Sequence, residues 1–245
     1  MPSFGEERGR EERWQALPGL ERGAAGTGAA ALTFDDGPDP DGTPAVLDAL
    51  DAAEMKATFF MTGEQLIRNI ALGREVAERG HEIGLHGFVH LRHDDMSPTA
   101  ARDDIARALG TVEAATTVRA RWCRPPYGLF AEGSYAACAK LELRPVYWSS
   151  SGLDYETVSA ERIADLAARD LVEGAIVLLH DSARYAPRAS PAATAEAIPL
   201  IAAAARERGL ALRTLGEIAG EAGSRNVPPE TADADAAMRR PRSPK

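Results

Sequence analysis

Two adjacent carboxylates, Asp35 and Asp36, stand between an apolar run and a Gly-Pro turn. The run covers residues 29–34, and an apolar segment of this length that ends at turn-forming residues is typical of a buried strand. Two acids at the end of a buried strand are costly unless a metal ion, an arginine or a shared proton compensates them. An ordinary acidic turn is the alternative, because Asp, Gly and Pro all favour turns.

His86 and His90 are four residues apart and follow another apolar segment. In a helical turn both imidazoles would lie on one face, which suits two ligands of one metal ion. Two unrelated histidines near a helix start are the alternative. With one carboxylate from Asp35 or Asp36 the set becomes His-His-carboxylate, which leaves open positions as catalytic metal sites do. The other aspartate could then act as a general base on the attacking water.

Three more reactive side chains follow predicted strands: Arg124, Asp154 and His180. Arg124 stands beside a rigid Pro-Pro turn and would keep a nearby base ionised and oriented, unless it only bridges surface acids. His180 ends an apolar run and could protonate a leaving group, with an adjacent carboxylate keeping it charged near neutral pH. A structural histidine under the following loop is the alternative for His180.

The elements that must position these residues alternate between strand and helix. We predict strands over residues 29–35, 57–61, 82–85, 120–123, 143–148, 175–179 and 210–213. We predict helices that begin near residues 43, 62, 97, 132, 159, 192 and 215. This alternation indicates an α/β protein with a parallel sheet, either an open or distorted barrel or a doubly wound sheet. In both folds ligands gather at the carboxyl ends of the strands, where the reactive residues stand.

Two of the helix starts carry specific signals. Thr43 precedes a proline and is predicted to cap the first helix. Thr62 and Gln65 form a capping-box pattern, and the helix that they open is predicted to end at Gly80. Its apolar residues, broadly on one side, are Leu66, Ile67, Ile70 and Val76.

Composition limits the partners and the location of the chain. The 245 residues are 44% hydrophobic, and the formal net charge of −9 without a basic stripe argues against nucleic acid as a partner. No stretch approaches the ~20 apolar residues of a membrane span, and no signal peptide is visible. We therefore expect a cytoplasmic monomer without a membrane span, or an extracellular protein if a preceding segment has been removed.

The remaining cysteines and histidines are assigned structural roles. Cys123 and Cys138 do not make a disulfide framework and are expected to be small buried hydrophobes. His81 and His93 are expected to be structural, although His93 stands close enough to His90 to be a further candidate ligand.

The motifs together resemble those of the polysaccharide deacetylases of the NodB-homology type, carbohydrate esterase family 4, over residues 29–219. The first family motif, Thr-Phe-Asp-Asp-Gly-Pro, is matched in full by residues 33–38. By this resemblance Asp35 is the catalytic base and Asp36 is a metal ligand. The resemblance implies a distorted (β/α) barrel, and it makes residues 29–221 the deacetylase domain.

The second and third family motifs are matched with one departure. His86 and His90 take the metal-ligand positions of His-Ser/Thr-x-x-His, but Gly87 replaces the hydroxyl residue that supports the loop. Arg124 and Tyr127 match Arg-x-Pro-Tyr. The resemblance implies that Arg124 tunes the base and that the Tyr127 backbone N–H helps to bind an oxyanion.

The fourth motif, Asp-x-x-Asp-Trp, is only half retained. Ser151 replaces its first acid and Tyr155 its tryptophan, whereas Asp154 is kept and by resemblance partners the catalytic acid. In the fifth motif, Leu-x-His, Leu178 would line the acetyl pocket with Tyr155, and His180 would be the acid.

The resemblance implies a metal-dependent hydrolase that removes acetyl from an amino sugar of a glycan or glycoconjugate. One divalent ion is implied, with zinc the default and Co²⁺, Ni²⁺ or Mn²⁺ as alternatives. An O-acetyl esterase, a deformylase or amidase acting on a small glycolipid or metabolite, and a catalytically silent sugar-binding module are the rivals. Retention of the acids and histidines argues against the last.

Two flanking segments complete the predicted domain organisation. Residues 1–28 are expected to be an N-terminal leader, partly disordered, whose Trp14 and Leu17 contact the folded body. Residues 222–245 are rich in Pro, Glu, Asp and Arg and are expected to be a disordered tail.

Overall fold

The computed structural model describes residues 17–220, which form one parallel α/β unit. Its strands are β1 (Ala29–Asp35), β2 (Thr58–Met61), β3 (Glu82–Leu85), β4 (Trp122–Cys123), β5 (Arg144–Pro145), β6 (Ser150–Ser151), β7 (Ile176–His180) and β8 (Ala211–Arg213). Its α-helices are α1 (Thr43–Ala52), α2 (Gly63–Arg68), α3 (Ile70–Glu78), α4 (Pro98–Thr116), α5 (Glu132–Lys140), α6 (Ala160–Arg169), α7 (Ala192–Glu207) and α8 (Leu215–Ile218). None of these helices is both long enough and apolar enough to span a membrane. Trp14 and the predicted disordered tail lie outside the described residues.

The sheet has the strand order β5-β4-β3-β2-β1-β7-β6, with β8 also paired to β1. Its named strands pair in parallel throughout. β5 and β6 follow one another in the chain but stand at opposite ends of this order, so the sheet must curl to bring its two ends together. The predicted distorted (β/α) barrel is therefore confirmed.

The segment before β1 joins the two sides of the curled sheet. Leu20 N–H donates to the carbonyl of Pro145, and Tyr147 N–H donates to the carbonyl of Leu20, both at 2.9 Å. On the other side Gly23 N–H donates to the carbonyl of Gly174 at 2.7 Å. Leu17 packs against the hydrophobic core, as predicted. Residues 17–24 thus close the barrel where its strands do not meet.

Alternation along β1 separates two apolar clusters. Ala30, Leu32 and Phe34 belong to the large cluster that includes the helices around the sheet. Ala29 and Ala31 belong to a smaller cluster on the opposite face. Because side chains alternate along a strand, the next residues on that opposite face are the polar ones at positions 33 and 35. The face that is apolar near the start of β1 therefore becomes the polar face at its carboxyl end.

The structure corrects the predicted helix from Thr62 to Gly80. The chain breaks at Asn69 (φ −133°, ψ 47°) into α2 and α3. Asn69 Nδ2 donates to the carbonyls of Pro38 and Gln65, at 3.0 and 3.1 Å, and such side-chain bonds compete with helical ones. The capping box does not form. The predicted inner residues Ile67 and Ile70 are 51% and 41% exposed.

Three smaller predictions also differ from the structure. The predicted strand 143–148 shortens to β5, and β6 follows outside the predicted range; the predicted strand 120–123 shortens to β4. Thr43 lies inside α1, after Gly42 at the cap position. Its hydroxyl instead donates to Asp181 Oδ2 at 2.5 Å and accepts from Asp39 N–H at 2.8 Å.

The closing segment provides a test of stability. Tyr147 is buried and its hydroxyl donates to the carbonyl of Leu17 at 2.9 Å. Tyr147→Phe should lower the free energy of unfolding by about 0.5–1.5 kcal/mol, since one intramolecular hydrogen bond is lost. Tyr135→Phe is the matched control, because Tyr135 packs on the same Phe130 ring and its hydroxyl makes no hydrogen bond within residues 17–220. Denaturant unfolding measures both; equal stabilities of the two variants would contradict the assigned role of the bond.

Candidate active site

The backbone at Asp36 brings two neighbouring carboxylates to one side of the sheet. Side chains of consecutive strand residues point to opposite faces, but Asp36 lies in the left-handed region with φ +84°. Asp35 Oδ2 lies 3.7 Å from His86 Nδ1, and Asp36 Oδ1 lies 3.3 Å from His86 Nε2. Both acids are buried, so the ordinary acidic turn is excluded.

Asp36, His86 and His90 form a group that could hold a metal ion. Their candidate ligand atoms all lie within 4.8 Å of one another, and His90 Nε2 is 3.1 Å from Asp36 Oδ1. Asp36 Oδ1 is buried without a well-formed hydrogen bond to any residue in 17–220. Burial favours a raised pKa for Asp36, but the two imidazoles outweigh it and hold that pKa well below its usual range. An ionised, buried oxygen facing two ring nitrogens fits a divalent cation.

The second nitrogen of His86 fixes the orientation of its ring. His86 Nδ1 lies 2.8 Å from the carbonyl oxygen of Arg124. A carbonyl can only accept, so Nδ1 carries a proton, and Nε2 is the His86 nitrogen that faces Asp36 and is left for a cation. This is the arrangement by which proteins orient histidine ligands of metals.

The segment between His86 and His90 is not the helical turn in which two histidines at this spacing would share a face. Residues 86–91 are irregular, and Gly87 adopts φ +75°. Asp104 on α4 holds this loop by accepting from Phe88 N–H at 2.7 Å and Val89 N–H at 3.1 Å. These two bonds give the loop a support that does not depend on a hydroxyl at position 87.

His93 lies against the same support and outside the three-residue group. Its side chain is fully buried, and its Nε2 is 3.4 Å from Asp104 Oδ2. His81 is also buried, and its Nδ1 accepts from Ala57 N–H at 3.3 Å. Both positions agree with the structural roles expected for these histidines.

Arg124 compensates the charge of Asp35. Its Nη1 donates to Asp35 Oδ1 at 2.7 Å and to Thr33 Oγ1 at 2.9 Å. Its Nη2 donates to the carbonyl of Tyr147 at 2.9 Å, and its guanidinium carbon lies 4.2 Å from the Phe60 ring centroid. Arg124 is completely buried, so the alternative of a surface arginine is excluded.

His180 and Asp154 form a hydrogen-bonded pair next to Asp35. β1 and β7 are in register at Asp35 and His180. His180 Nδ1 lies 2.8 Å from Asp154 Oδ1, and His180 N–H donates to Asp154 Oδ2 at 2.9 Å. Burial favours a lower pKa for His180, but the carboxylate of Asp154 outweighs it and raises that pKa to about 9. Asp154 therefore favours the protonated form of the imidazole.

The three residues identified only by resemblance lie around this centre. Tyr155 presents its ring perpendicular to that of His180, with centroids 5.9 Å apart. Leu178 is buried on β7, in register with Thr33. Tyr127 is half exposed, adopts φ +60°, and places its ring 4.8 Å from that of His90. A non-glycine residue in the left-handed region stores strain, and such strain is concentrated at functional sites.

Sequence patterns did not identify the support of Asp154. Arg188 Nη1 lies 3.3 Å from Asp154 Oδ2, and Thr194 Oγ1 donates to the same oxygen at 2.7 Å. Arg188 also donates to the carbonyls of His180 and Ser182, each at 2.9 Å. These residues lie on or just after an irregular loop, where no periodicity marks an inward-facing side chain.

The loop between the two histidines provides a second test of stability. A Cβ at Gly87 would lie 2.9 Å from Asp104 Oδ2 in a backbone conformation that L side chains rarely adopt. Gly87→Ala should cost about 1–2 kcal/mol of unfolding free energy because of the positive φ. Gly110→Ala, in α4 with open space around the added methyl, should stabilise by roughly 0.5–1 kcal/mol. Thermal and denaturant unfolding compare the two; a Gly87→Ala protein as stable as the wild type would show that the loop is not strained as described.

Comparison with known proteins gives consistent results. A family model described as polysaccharide deacetylase matches residues 22–146. A chitooligosaccharide deacetylase from Bradyrhizobium sp. (strain ANU 289) is 35% identical over 158 residues, which cover 64% of this chain and 72% of the relative. A peptidoglycan-N-acetylglucosamine deacetylase from Bacillus cereus is 31% identical over 152 residues, which cover 62% of this chain and 55% of the relative.

A solved structure extends the likeness to the fold. The family 4 carbohydrate esterase from Streptomyces lividans, in complex with acetate, is 29% identical to this chain with a TM-score of 0.68. The match covers 75% of this chain and 91% of that one. The family match spans β1 to β5, which contribute both acids, both candidate histidine ligands and the buried arginine. The chain therefore belongs to the polysaccharide deacetylase family, as its motifs predict.

Proposed function

We propose that the chain is a metal-dependent deacetylase that hydrolyses the N-acetyl group of an amino sugar in a glycan or glycoconjugate, giving acetate and a free amine. The observation that carries this proposal is a carboxylate paired with an arginine and a histidine paired with a carboxylate, both beside one candidate metal centre. Asp35 is held by Arg124, and His180 is held by Asp154. Amide hydrolysis needs both a base for the attacking water and an acid for the departing nitrogen.

Each residue assigned to catalysis has a defined part in this reaction. When bound, a divalent metal polarises the acetyl carbonyl and lowers the pKa of water. Asp35 accepts a proton from the attacking water, while Arg124 holds the Asp35 carboxylate in place through its hydrogen bond at 2.7 Å. His180 donates its Nε2 proton to the leaving nitrogen, and Asp154 holds its Nδ1 side. The Tyr127 backbone N–H is assigned to the developing oxyanion.

The remaining assignments concern the acetyl group and the metal. Tyr155 and Leu178 are assigned to the walls around the acetyl methyl. The ring of Tyr155 lies beside His180, and Leu178 lies on β7 together with His180. Asp36, His86 and His90 are assigned as the ligands. We propose Zn²⁺ for this mixed nitrogen and oxygen set, with Co²⁺, Ni²⁺ and Mn²⁺ as ions that the same donors accept.

The function is tested by acetate release. Chitooligosaccharides and N-acetylated peptidoglycan fragments represent the substrates named for the relatives, and acetylated xylan represents O-acetyl esters. We expect acetate from an N-acetylated substrate, loss of this release with chelator, and its recovery on adding Zn²⁺. Release only from acetylated xylan would identify an esterase instead. Turnover unaffected by complete metal removal would exclude the proposed centre.

Replacement of the proposed base separates chemistry from metal binding. Asp35→Asn removes the base but no assigned ligand, so turnover should fall by about 10²–10⁴-fold while metal content stays close to wild type. Arg124→Ala should lower turnover less, because Arg124 transfers no proton. Asp41→Asn, an exposed acid after the same strand, is the control and should have wild-type activity. Wild-type turnover by metal-loaded Asp35→Asn would rule out Asp35 as the base.

The Asp154–His180 pair predicts a shift in the pH dependence of the rate. His180 donates only while it is protonated, and Asp154 raises its pKa. In Asp154→Asn the His180 pKa falls, so the alkaline limb of the pH–rate profile should move to lower pH. The direction of the shift is the test, because a bound cation also lowers the His180 pKa. Asp165→Asn, an exposed acid on α6, should leave the limb in place. An unmoved limb in folded Asp154→Asn would show that the pair is not coupled.

A further inference from the structure

The two candidate histidine ligands are held in different ways. His86 is oriented by the hydrogen bond from its Nδ1 to the Arg124 carbonyl, at 2.8 Å. His90 Nδ1 is buried and has no hydrogen-bond partner within residues 17–220. Metal-binding histidines almost always use their second nitrogen for such a bond. Another interaction must therefore fix the plane of the His90 ring.

Aromatic contacts orient His90 in place of the missing hydrogen bond at its Nδ1. The ring of Tyr185 stacks on that of His90, with centroids 4.1 Å apart and planes only 5° from parallel. The ring of Tyr127 lies 4.8 Å from His90 but is tilted by 58°. A parallel stack at this distance restricts rotation of the imidazole about its side-chain torsions, whereas the tilted contact restricts it less. Tyr185 is thus the side chain that defines the plane of His90.

Tyr185 is itself anchored to another element. Its hydroxyl donates to Glu64 Oε1 at 2.5 Å and accepts from Gln65 Nε2 at 3.0 Å. Glu64 and Gln65 belong to the first turn of α2, which follows β2. Burial, with Glu64 adding to it, raises the pKa of Tyr185 to about 12. The hydroxyl therefore stays protonated and keeps donating across the physiological pH range.

We propose that Tyr185 is a positioning residue for His90, which it holds by ring stacking in the orientation needed to bind a divalent cation together with Asp36 and His86. The proposal rests on the proposed metal centre and goes beyond it by assigning a role to the loop after β7. It predicts that metal affinity depends on an aromatic ring at position 185. The hydroxyl of Tyr185 is predicted to matter less than the ring, because it does not touch His90.

Metal affinity is the direct test. The full chain is stripped with chelator and titrated with Zn²⁺ in a calorimeter, as wild type, Tyr185→Phe, Tyr185→Leu and Tyr185→Gln. Loss of the ring in the Leu and Gln variants should weaken Zn²⁺ binding about tenfold or more, the range found for residues that orient metal ligands. Tyr185→Phe keeps the ring and should stay within about threefold of wild type. Either ring-less variant suffices if the other does not fold.

A control and a spectroscopic measurement separate positioning from general stability. Tyr135→Leu removes a tyrosine of similar burial on α5 and should leave Zn²⁺ affinity at the wild-type value. The visible spectrum of the Co²⁺-loaded protein reports ligand geometry, and it should change in Tyr185→Leu but not in Tyr185→Phe or Tyr135→Leu.

The outcomes distinguish this inference from the proposed function. Wild-type Zn²⁺ affinity and Co²⁺ spectrum in folded Tyr185→Leu would overturn the role of Tyr185 and leave the metal centre intact. Equal weakening by Tyr185→Phe and Tyr185→Leu would also overturn it, since the hydroxyl rather than the stack would then be responsible. If wild type bound no divalent metal, the centre itself and this inference would both be wrong.

Discussion

The burial of two adjacent carboxylates at the end of one strand is the constraint on which the site depends. Asp35 and Asp36 are each only 3% exposed, and an uncompensated buried charge costs several kcal/mol at least. Arg124 compensates one of them. The left-handed backbone at Asp36 turns the other towards His86 and His90, where a cation could compensate it. Because each acid has a separate partner, one can serve as a base while the other serves as a ligand.

The loop after β7 supports the centre from three directions. Asp181 accepts from Gly37 N–H at 3.0 Å and so braces the turn that follows the two acids. Tyr185 stacks on His90, and Arg188 lies against Asp154. This single irregular segment thereby contacts Gly37 after the two acids, the candidate ligand His90, and Asp154, the partner of the proposed acid. A displacement of this loop would disturb all three together, which makes the site dependent on a segment without regular structure.

Much of the fold and most of the central residues follow from the sequence because they depend on local patterns. Apolar runs mark the long strands, and the reactive residues stand where those runs end. Other features depend on contacts between distant segments. The break at Asn69 arises from a bond to Pro38, and the non-helical path after His86 needs the support of Asp104. Arg188 has no local signal, since only the folded chain shows that it faces Asp154.

Residues 17–24, which close the barrel, also cover the outer edge of β5. β5 is a terminal strand of the sheet, and unpaired main-chain groups on such a strand invite pairing with another molecule. Leu20 pairs with this strand, and Pro145 within it has no N–H to offer. A domain defined to begin at β1 would keep every proposed catalytic residue and lose this cover. We expect such a domain to self-associate through β5 rather than to lose catalytic activity.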